Sequence, residues 1–325
     1  MSDKPFAITL DVGSSLANKT GSWRTERPLY RNALPPCNDA CPAGENIQGW
    51  LYEAEEGSYE RAWNVLVTDN PFPAIMGRVC YHPCQSACNR AQLDQPVGIN
   101  SVERFLGDAA LSDGWQLPAP APDTGRRVLV IGAGPSGLSA AYHLRRFGHR
   151  VTIREAGPKA GGMMRFGIPA YRLPRDVLDA EIDRVLALGI DLELDTRVDN
   201  VLAAMTDDGF DAVFLAVGAH IGKRAYIPAG ESAHILDAVS LLRGMEDDSQ
   251  PLLGRRVVVY GGGNTAMDAA RTAKRLGADE AIVVYRRTRD RMPAHDIEVQ
   301  EALEEGVLMR WLSTIKHVDA GTMLV

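Results

Sequence analysis

Cysteines fall at Cys37, Cys41, Cys80, Cys84 and Cys88, and nowhere else in the 325 residues. The spacing is Cys-x3-Cys-Pro, then Cys-x3-Cys-x3-Cys. Thiolates are soft donors that suit iron–sulfur clusters, and a proline beside a ligating cysteine is common there. Zinc and buried free thiols are the competing readings. Zinc's usual C-x2-C knuckle is absent, and so dense a set is unusual for free thiols. An odd, clustered count also argues against a disulfide framework.

Two glycine-rich turns offer a second kind of chemistry. Gly132-Ala-Gly134-Pro135-Ser136-Gly137 follows a β-branched run and opens a helical one. Gly132 permits a tight turn, Gly134 a close backbone approach to a pyrophosphate, and Gly137 close helix–strand packing. Glu155 lies about 20 residues on, where an acid bonds a ribose hydroxyl. The competing reading is a simple turn. Gly161-Gly162-Met163 resembles the glycine pair that flavoproteins run past the flavin, and the segment closing at Gly218 resembles the link between flavin and nicotinamide domains in two-dinucleotide reductases; these resemblances favour FAD here over NAD. Arg165 and Tyr171 are candidates to line the flavin.

Gly261-Gly-Gly263-Asn264-Thr265-Ala266 is the second turn. No acid follows its next strand; Tyr285-Arg286-Arg287 stands there instead. An acid would repel a 2′-phosphate, whereas Arg286 and Arg287 can pair with one bidentately. NADPH is therefore favoured over NADH, against the alternative of a solvated basic turn.

The elements that must position these residues follow from periodicity. Helical spacing over Glu45–Glu56, Ser58–Asp69 and Ser101–Leu111 gives the cysteine-bearing part short helices. Asn70-Pro71 stops the second helix. Leu117–Pro122 reads as a stiff proline-rich linker. Strand–turn–helix–strand units run over Arg127–Ile131, Ser136–Phe147 and Val151–Glu155. They recur over Arg256–Tyr260, Thr265–Leu276 and Ala281–Tyr285. The expected fold is α/β, with two Rossmann-like doubly wound dinucleotide-binding domains preceded by an α-helical iron–sulfur domain. The expected boundaries are 1–122, 123–222 and 223–325.

The net charge of −7 gives no general reason to expect nucleic acid or an anionic membrane as partner. No apolar run reaches the ~18 residues of a membrane span. Met1 to Pro28 lacks the pattern of a secretory signal, so a cytoplasmic location is expected.

From about Leu34 onward the sequence resembles the NADPH-dependent small (beta) subunits of bacterial glutamate synthase. The same module forms the N-terminal half of dihydropyrimidine dehydrogenase. The marks are Pro36–Pro42, Asn70-Pro-Phe-Pro73, Gly77-Arg-Val-Cys80, Val102-Glu-Arg-Phe105, the glycine loop at Gly132, Arg165–Pro169, and Val284–Arg287 leading to Met292-Pro293.

The resemblance implies two [4Fe–4S] clusters in the helical domain. One uses positions matching Cys37 and Cys88 plus an early C-x2-C pair. That pair falls on Leu29 and Asn32 here, so one cluster is expected to be lost. The other uses positions matching Cys41, Cys80, Cys84 and the non-cysteine ligand Glu103, with Cys37 or Cys88 as fourth ligands better suited to iron. An ordinary helix-surface acid is the alternative for Glu103. In the family the FAD domain is closed by a later Gly-Asp segment; none is read before Val325, so the expectation is either that the sequence is a truncated piece or that another chain completes the domain.

The implied function moves electrons between NADP(H), FAD and the cluster, to or from a catalytic partner. That partner is a large subunit of glutamate synthase type or a 2-oxoacid:ferredoxin-type electron partner in a hetero-oligomer. No side-chain catalyst is required; His82, His143, His220 and His295 are read as surface or packing residues. A non-catalytic scaffold is one alternative. A flavin disulfide reductase is another, and it calls for a redox C-x-x-C that the chain lacks.

Overall fold

The computed structural model describes residues 35–219, 226–231, 234–246, 251–319 and 321–325. Leu29, Asn32 and His220 lie outside them. The cysteines are carried by helices α1 (Pro36–Ala40), α2 (Ile47–Glu55), α3 (Tyr59–Leu66), α4 (Pro73–Val79), α5 (Pro83–Ser86) and α6 (Ile99–Asp113). Local chemistry sets their ends. Asn46 caps α2 by accepting from Gly49 N–H, Pro73 opens α4, and Gly114 closes α6 with a φ of 70°.

Helices α4 and α6 approach until their backbones touch. A Cβ on Gly77 would lie 2.5 Å from Arg104 Cα, and one on Gly107 would lie 2.3 Å from Ala74 N. This contact brings Glu103, on α6, alongside the end of α4 where Cys80 sits.

Next come β1 (Arg127–Ile131), α7 (Pro135–Arg146), β2 (Arg150–Arg154), α8 (Met163–Phe166), α9 (Arg175–Leu186), β3 (Asp191–Glu193), α10 (Val201–Asp207) and β4 (Ala212–Leu215). The four strands form a parallel sheet in the order β3-β2-β1-β4. That order is the nucleotide-binding arrangement, with the first strand central and its turn facing the crevice. A second set comprises α11 (Ala238–Gly244), β5 (Arg256–Tyr260), α12 (Asn264–Arg275), β6 (Glu280–Val284), α13 (Asp296–Glu304) and β7 (Leu308–Arg310). Its strands form a parallel sheet, β5-β6-β7. An antiparallel pair, β8 (His317–Asp319) and β9 (Thr322–Leu324), follows. The fold class expected from the sequence is the one observed.

One apolar core runs from the helices into the first sheet unit, joining Trp50, Trp63 and Ile75 to Tyr142, Ile153 and Leu178. The Tyr142 hydroxyl donates to the Val67 carbonyl. The proline-rich stretch lies against this unit, with Ala121 N–H donating to the Arg146 carbonyl and Leu117 buried. The second sheet unit has its own core around Met267, Val283 and Val299. Among the described residues, no helix is long and apolar enough to cross a membrane.

Candidate functional site

The first glycine loop joins β1 to α7. Gly132 has a φ of +106°, and a Cβ there would lie 2.4 Å from the Ala216 carbonyl at the end of β4. A Cβ on Gly137 would lie 1.9 Å from the Gly132 carbonyl. These two glycines are therefore fixed by the packing of the protein itself. Gly134 differs: a Cβ there would meet nothing nearer than Gly162 Cα, at 3.8 Å. Gly134 is also the N-cap of α7, and no side chain caps that end. An open glycine strip beside an uncapped helix N-terminus is what a pyrophosphate requires. Pro135 and Ser136 form the first turn of α7.

Glu155 is held at this loop. Its Oε2 accepts from Ala133 N–H at 2.7 Å and its Oε1 from Gly157 N–H at 2.9 Å. Gly161 N–H donates to the Ala133 carbonyl, which brings Gly162 and Met163 against the same strip. Gly218, with a φ of +68°, follows the strand end that abuts Gly132. Arg165 is buried, and its guanidinium is committed to the protein: Nε donates to the Ala160 carbonyl and one terminal nitrogen to Asp179. It braces the Gly161-Gly162 turn from below. Tyr171 lies elsewhere, beneath the guanidinium groups of Arg271 and Arg275 at 4.9 and 4.0 Å.

The second loop joins β5 to α12. Gly263 is the N-cap of α12, without a side-chain cap, and a Cβ there would meet nothing within 4 Å. Gly262 packs on the Tyr285 ring. Gly261 begins the turn, Ala266 is buried behind it, and Thr265 is exposed at the helix start. Asn264 Oδ1 accepts from His295 N–H at 3.0 Å. Arg286 and Arg287 are exposed just past β6 and make no ion pair among the described residues, whereas Arg289 pairs with Asp296 and Arg291 with Asp290. Two unspent guanidinium groups beside an uncapped helix N-terminus fit a phosphorylated ribose.

The cysteines occupy one end of the helical layer. Cys37 lies in α1 and Cys41 just beyond it, Cys80 ends α4, Cys84 lies in α5 and Cys88 just beyond it; α1 packs on α5. Burial pushes the Cys84 thiol up to about 12, with further upward pressure from Cys80, Cys41 and Glu103. Cys80 is raised by burial first, then by Glu103, Cys41 and Glu45. Cys41 is raised by burial, with Glu45 adding to it. Cys37 is raised by burial and, more weakly, by Cys88. Cys88 is the exception: a hydrogen bond from the Val97 backbone and the charge of Arg90 lower it.

The field thus links Cys41, Cys80, Cys84 and Glu103 on one side, and Cys37 with Cys88 on the other. Glu103 is buried rather than a surface acid, and it accepts from Asn70 Nδ2 at 2.8 Å. The same amide nitrogen lies 3.0 Å from Glu45 Oε1. Burial and the Glu45 charge hold the Glu103 carboxyl well above the usual carboxylate range. Among the described residues, no three His, Cys, Asp or Glu side chains converge tightly enough to hold a single metal ion. A mononuclear ion draws its sulfurs to about 2.3 Å of one point, whereas a cluster binds each at a different iron. Half-buried soft donors beside acids and other thiols fit the cationic core of a multi-iron group.

Two arrangements had no signal in the sequence. Arg172 donates to both carboxylate oxygens of Asp268, at 3.1 and 2.9 Å, and also pairs with Glu298. Tyr81 and His295 stack with ring centroids 3.6 Å apart.

A family profile described as pyridine nucleotide-disulphide oxidoreductase matches residues 126–323. A second, described as dihydropyrimidine dehydrogenase domain II, 4Fe-4S cluster, matches residues 17–115. The chain is 40% identical over 304 residues to the NADP(+)-dependent formate dehydrogenase subunit beta of Moorella thermoacetica, covering 85% of this chain and 43% of that one. It is 38% identical over 279 residues to the NADPH-Fe(3+) oxidoreductase subunit beta of Geobacter sulfurreducens (strain DL-1 / KN400), covering 84% and 42%. It is 35% identical over 289 residues to the glutamate synthase (NADPH) small chain of Escherichia coli K12, covering 84% and 61%. The chain spans less than two thirds of the length of each of these relatives. Histamine dehydrogenase from Rhizobium sp. 4-9 shares the fold, with a TM-score of 0.53 and 19% identity over 90% of this chain and 40% of that one. With both glycine loops inside the first matched segment and all five cysteines inside the second, the chain belongs to the pyridine nucleotide-disulphide oxidoreductase family, its matched segment preceded by one of the 4Fe-4S domain type.

Proposed function

We propose that this chain is the electron-transfer part of a larger oxidoreductase, moving electrons between NADP(H), FAD and one [4Fe–4S] cluster, to or from a catalytic partner subunit. The observation that carries the reading is that two uncapped glycine-loop helices and a cluster of five largely shielded cysteines belong to one packed unit, Pro36–Val325. We divide the chain into a helical cluster domain (1–122), a flavin domain (123–222) and a nucleotide domain (223–325).

When bound, these groups supply hydride transfer at the nicotinamide, two-electron storage at the flavin and single-electron carriage at the cluster. The protein's part is to bind, orient and shield them. Gly132, Gly134, Pro135, Ser136 and Gly137 present the α7 N-terminus to the FAD pyrophosphate, and Glu155 faces its ribose. Gly162, Met163 and Gly218 border the same strip, with Arg165 bracing the turn. Gly261, Gly263, Asn264, Thr265 and Ala266 do the same for NADPH, and Arg286 and Arg287 take its 2′-phosphate. Cys41, Cys80, Cys84 and Glu103 hold the cluster, with Cys37 and Cys88 as alternative fourth ligands.

The relatives named as beta or small subunits favour a hetero-oligomer with a catalytic large subunit or a ferredoxin-type partner. Five free cysteines suit a reducing compartment, so the proposed location is cytoplasmic. A disulfide-reducing activity is disfavoured, because all five precede residue 89 and none forms a C-x-x-C.

The test is iron and sulfide analysis of anaerobically purified protein, with its visible flavin bands and the EPR spectrum after NADPH. About four irons per chain, the content of one [4Fe–4S] cluster, with flavin reducible by NADPH supports the reading. Stoichiometric zinc without iron overturns the cluster route.

A further inference from the structure

The second glycine loop is tied to the cysteine segment through few residues. Ala294 N–H donates to the Gly262 carbonyl and His295 N–H to Asn264 Oδ1, each at 3.0 Å. Residues 294–295 are thus bonded directly to the loop and to the first residue of α12. The His295 imidazole lies flat on the Tyr81 ring, 12° from parallel. Tyr81 is the neighbour of Cys80. Its phenol lies within the electrostatic reach of Arg172, which grips Asp268 of the same α12.

The far end of this path has little slack. His82 has a φ of 40°, a left-handed conformation uncommon for a residue with a Cβ. Its N–H donates to Cys80 Sγ at 3.3 Å, and its Nδ1 lies 2.9 Å from the Cys80 carbonyl. These bonds tie the backbone that follows Tyr81 to the Cys80 sulfur and carbonyl.

We propose that Tyr81 and His295 are positioning residues that couple occupancy of the Gly261–Ala266 loop to the geometry of the Cys80–Cys88 segment. Nucleotide entering the loop settles the 294–295 segment, which settles Tyr81, which fixes the thiolate of Cys80. By linkage the coupling is reciprocal: occupancy at the cysteines tightens nucleotide binding by the same factor. The inference rests on reading that loop as the NADP(H) site.

The test is amide hydrogen exchange of residues 80–88 in the purified holoprotein with and without NADP+, with calorimetry reporting binding separately. In the wild type, NADP+ is expected to slow exchange there at least about fivefold, the lower end of typical coupling. Tyr81→Ala and His295→Ala lose the slowing while still binding NADP+. Tyr81→Phe, which keeps the stacking ring, retains it. Equal slowing in both alanine variants, or none in a wild type that calorimetry shows to be occupied, overturns the coupling. Failure of the wild type to bind NADP+ removes the nucleotide-site reading and this inference with it.

Discussion

Arg172, in the connection between α8 and α9, grips both carboxylate oxygens of Asp268 on α12, so one guanidinium bolts the first sheet unit to the second. Both side chains are nearly buried. Burial alone would push the Asp268 carboxyl up, and Arg172 is the main opposing influence. Removing Arg172 strips the buried Asp268 and Glu298 carboxylates of their shared partner, which costs roughly 3–5 kcal/mol, whereas removing Asp268 leaves Arg172 its pairing with Glu298. Arg172→Ala is expected to lower the free energy of unfolding by such an amount, and Asp268→Ala by less. Their double variant is expected to lose clearly less than the sum, as a denaturant titration of all four proteins will read.

The glycines of the first loop separate packing from binding. Gly137→Ala drives a Cβ into the Gly132 carbonyl and is expected to cost about 1–3 kcal/mol of stability. Gly134→Ala has room, and its φ of −79° suits any residue, so stability should hold. The added methyl instead stands where the pyrophosphate approaches. Thermal melts alongside flavin content after purification distinguish the two. A Gly134→Ala protein that keeps full flavin argues against this loop as the FAD site.

Among the described residues Arg286 and Arg287 form no ion pair, so their loss should leave the fold untouched. Charge-assisted hydrogen bonds contribute about 1.5–3 kcal/mol each. Replacing either arginine by alanine should therefore raise the KM for NADPH roughly 10- to 150-fold. The KM for NADH should stay largely unchanged, since it has no 2′-phosphate. Steady-state reduction of an artificial acceptor with both nucleotides checks this. Equal losses for the two would mean that the arginines read something other than that phosphate.

Glu181 on α9 is fully buried and accepts from Ile75 N–H at 3.0 Å, at the start of α4. Burial raises its carboxyl to about 8, and Arg184 only partly offsets this. An unfolded glutamate titrates near ~4.3. Between those values the folded protein holds a proton that the unfolded chain has released, so stability falls as pH rises, by at most about 1.4 kcal/mol per pH unit from this group. Glu181→Gln keeps the acceptor and removes the titration. Its stability should decline less than the wild type's from pH 5 to 8, measured by denaturant titration in several buffers.

Much of this layout was legible in the chain, and the reason is local. Strands Arg127–Ile131 and Arg256–Tyr260 were read with their observed limits, because a β-branched run ending at a glycine turn carries its own punctuation. The long helix at α6 was found by its period, short by two residues at each end. The short helices α4 and α5 were not individually read; α4 contains Gly77, whose value lies in contact with Arg104 on another helix. Arg172 and Asp268 are 96 residues apart, and Tyr81 and His295 further still. Pairings between distant elements have no period, so only the folded chain shows them. Arg165 was sought beside the flavin because of its neighbours in sequence, yet its guanidinium is turned into Asp179 and the Ala160 carbonyl.

The core shared by the helical layer and the first sheet unit changes what the proline-rich stretch can be. Trp63 and Leu66 pack in one cluster with Tyr142 and Leu178, and the Tyr142 and Glu181 side chains reach across to Val67 and Ile75. A protease nick between Leu117 and Pro122 would thus not release two independent pieces. The fragments would co-elute as one particle under native conditions and part only in denaturant. The connector behaves as a strap on a single folding unit, and dissecting the protein at that point would expose half of a core on each side.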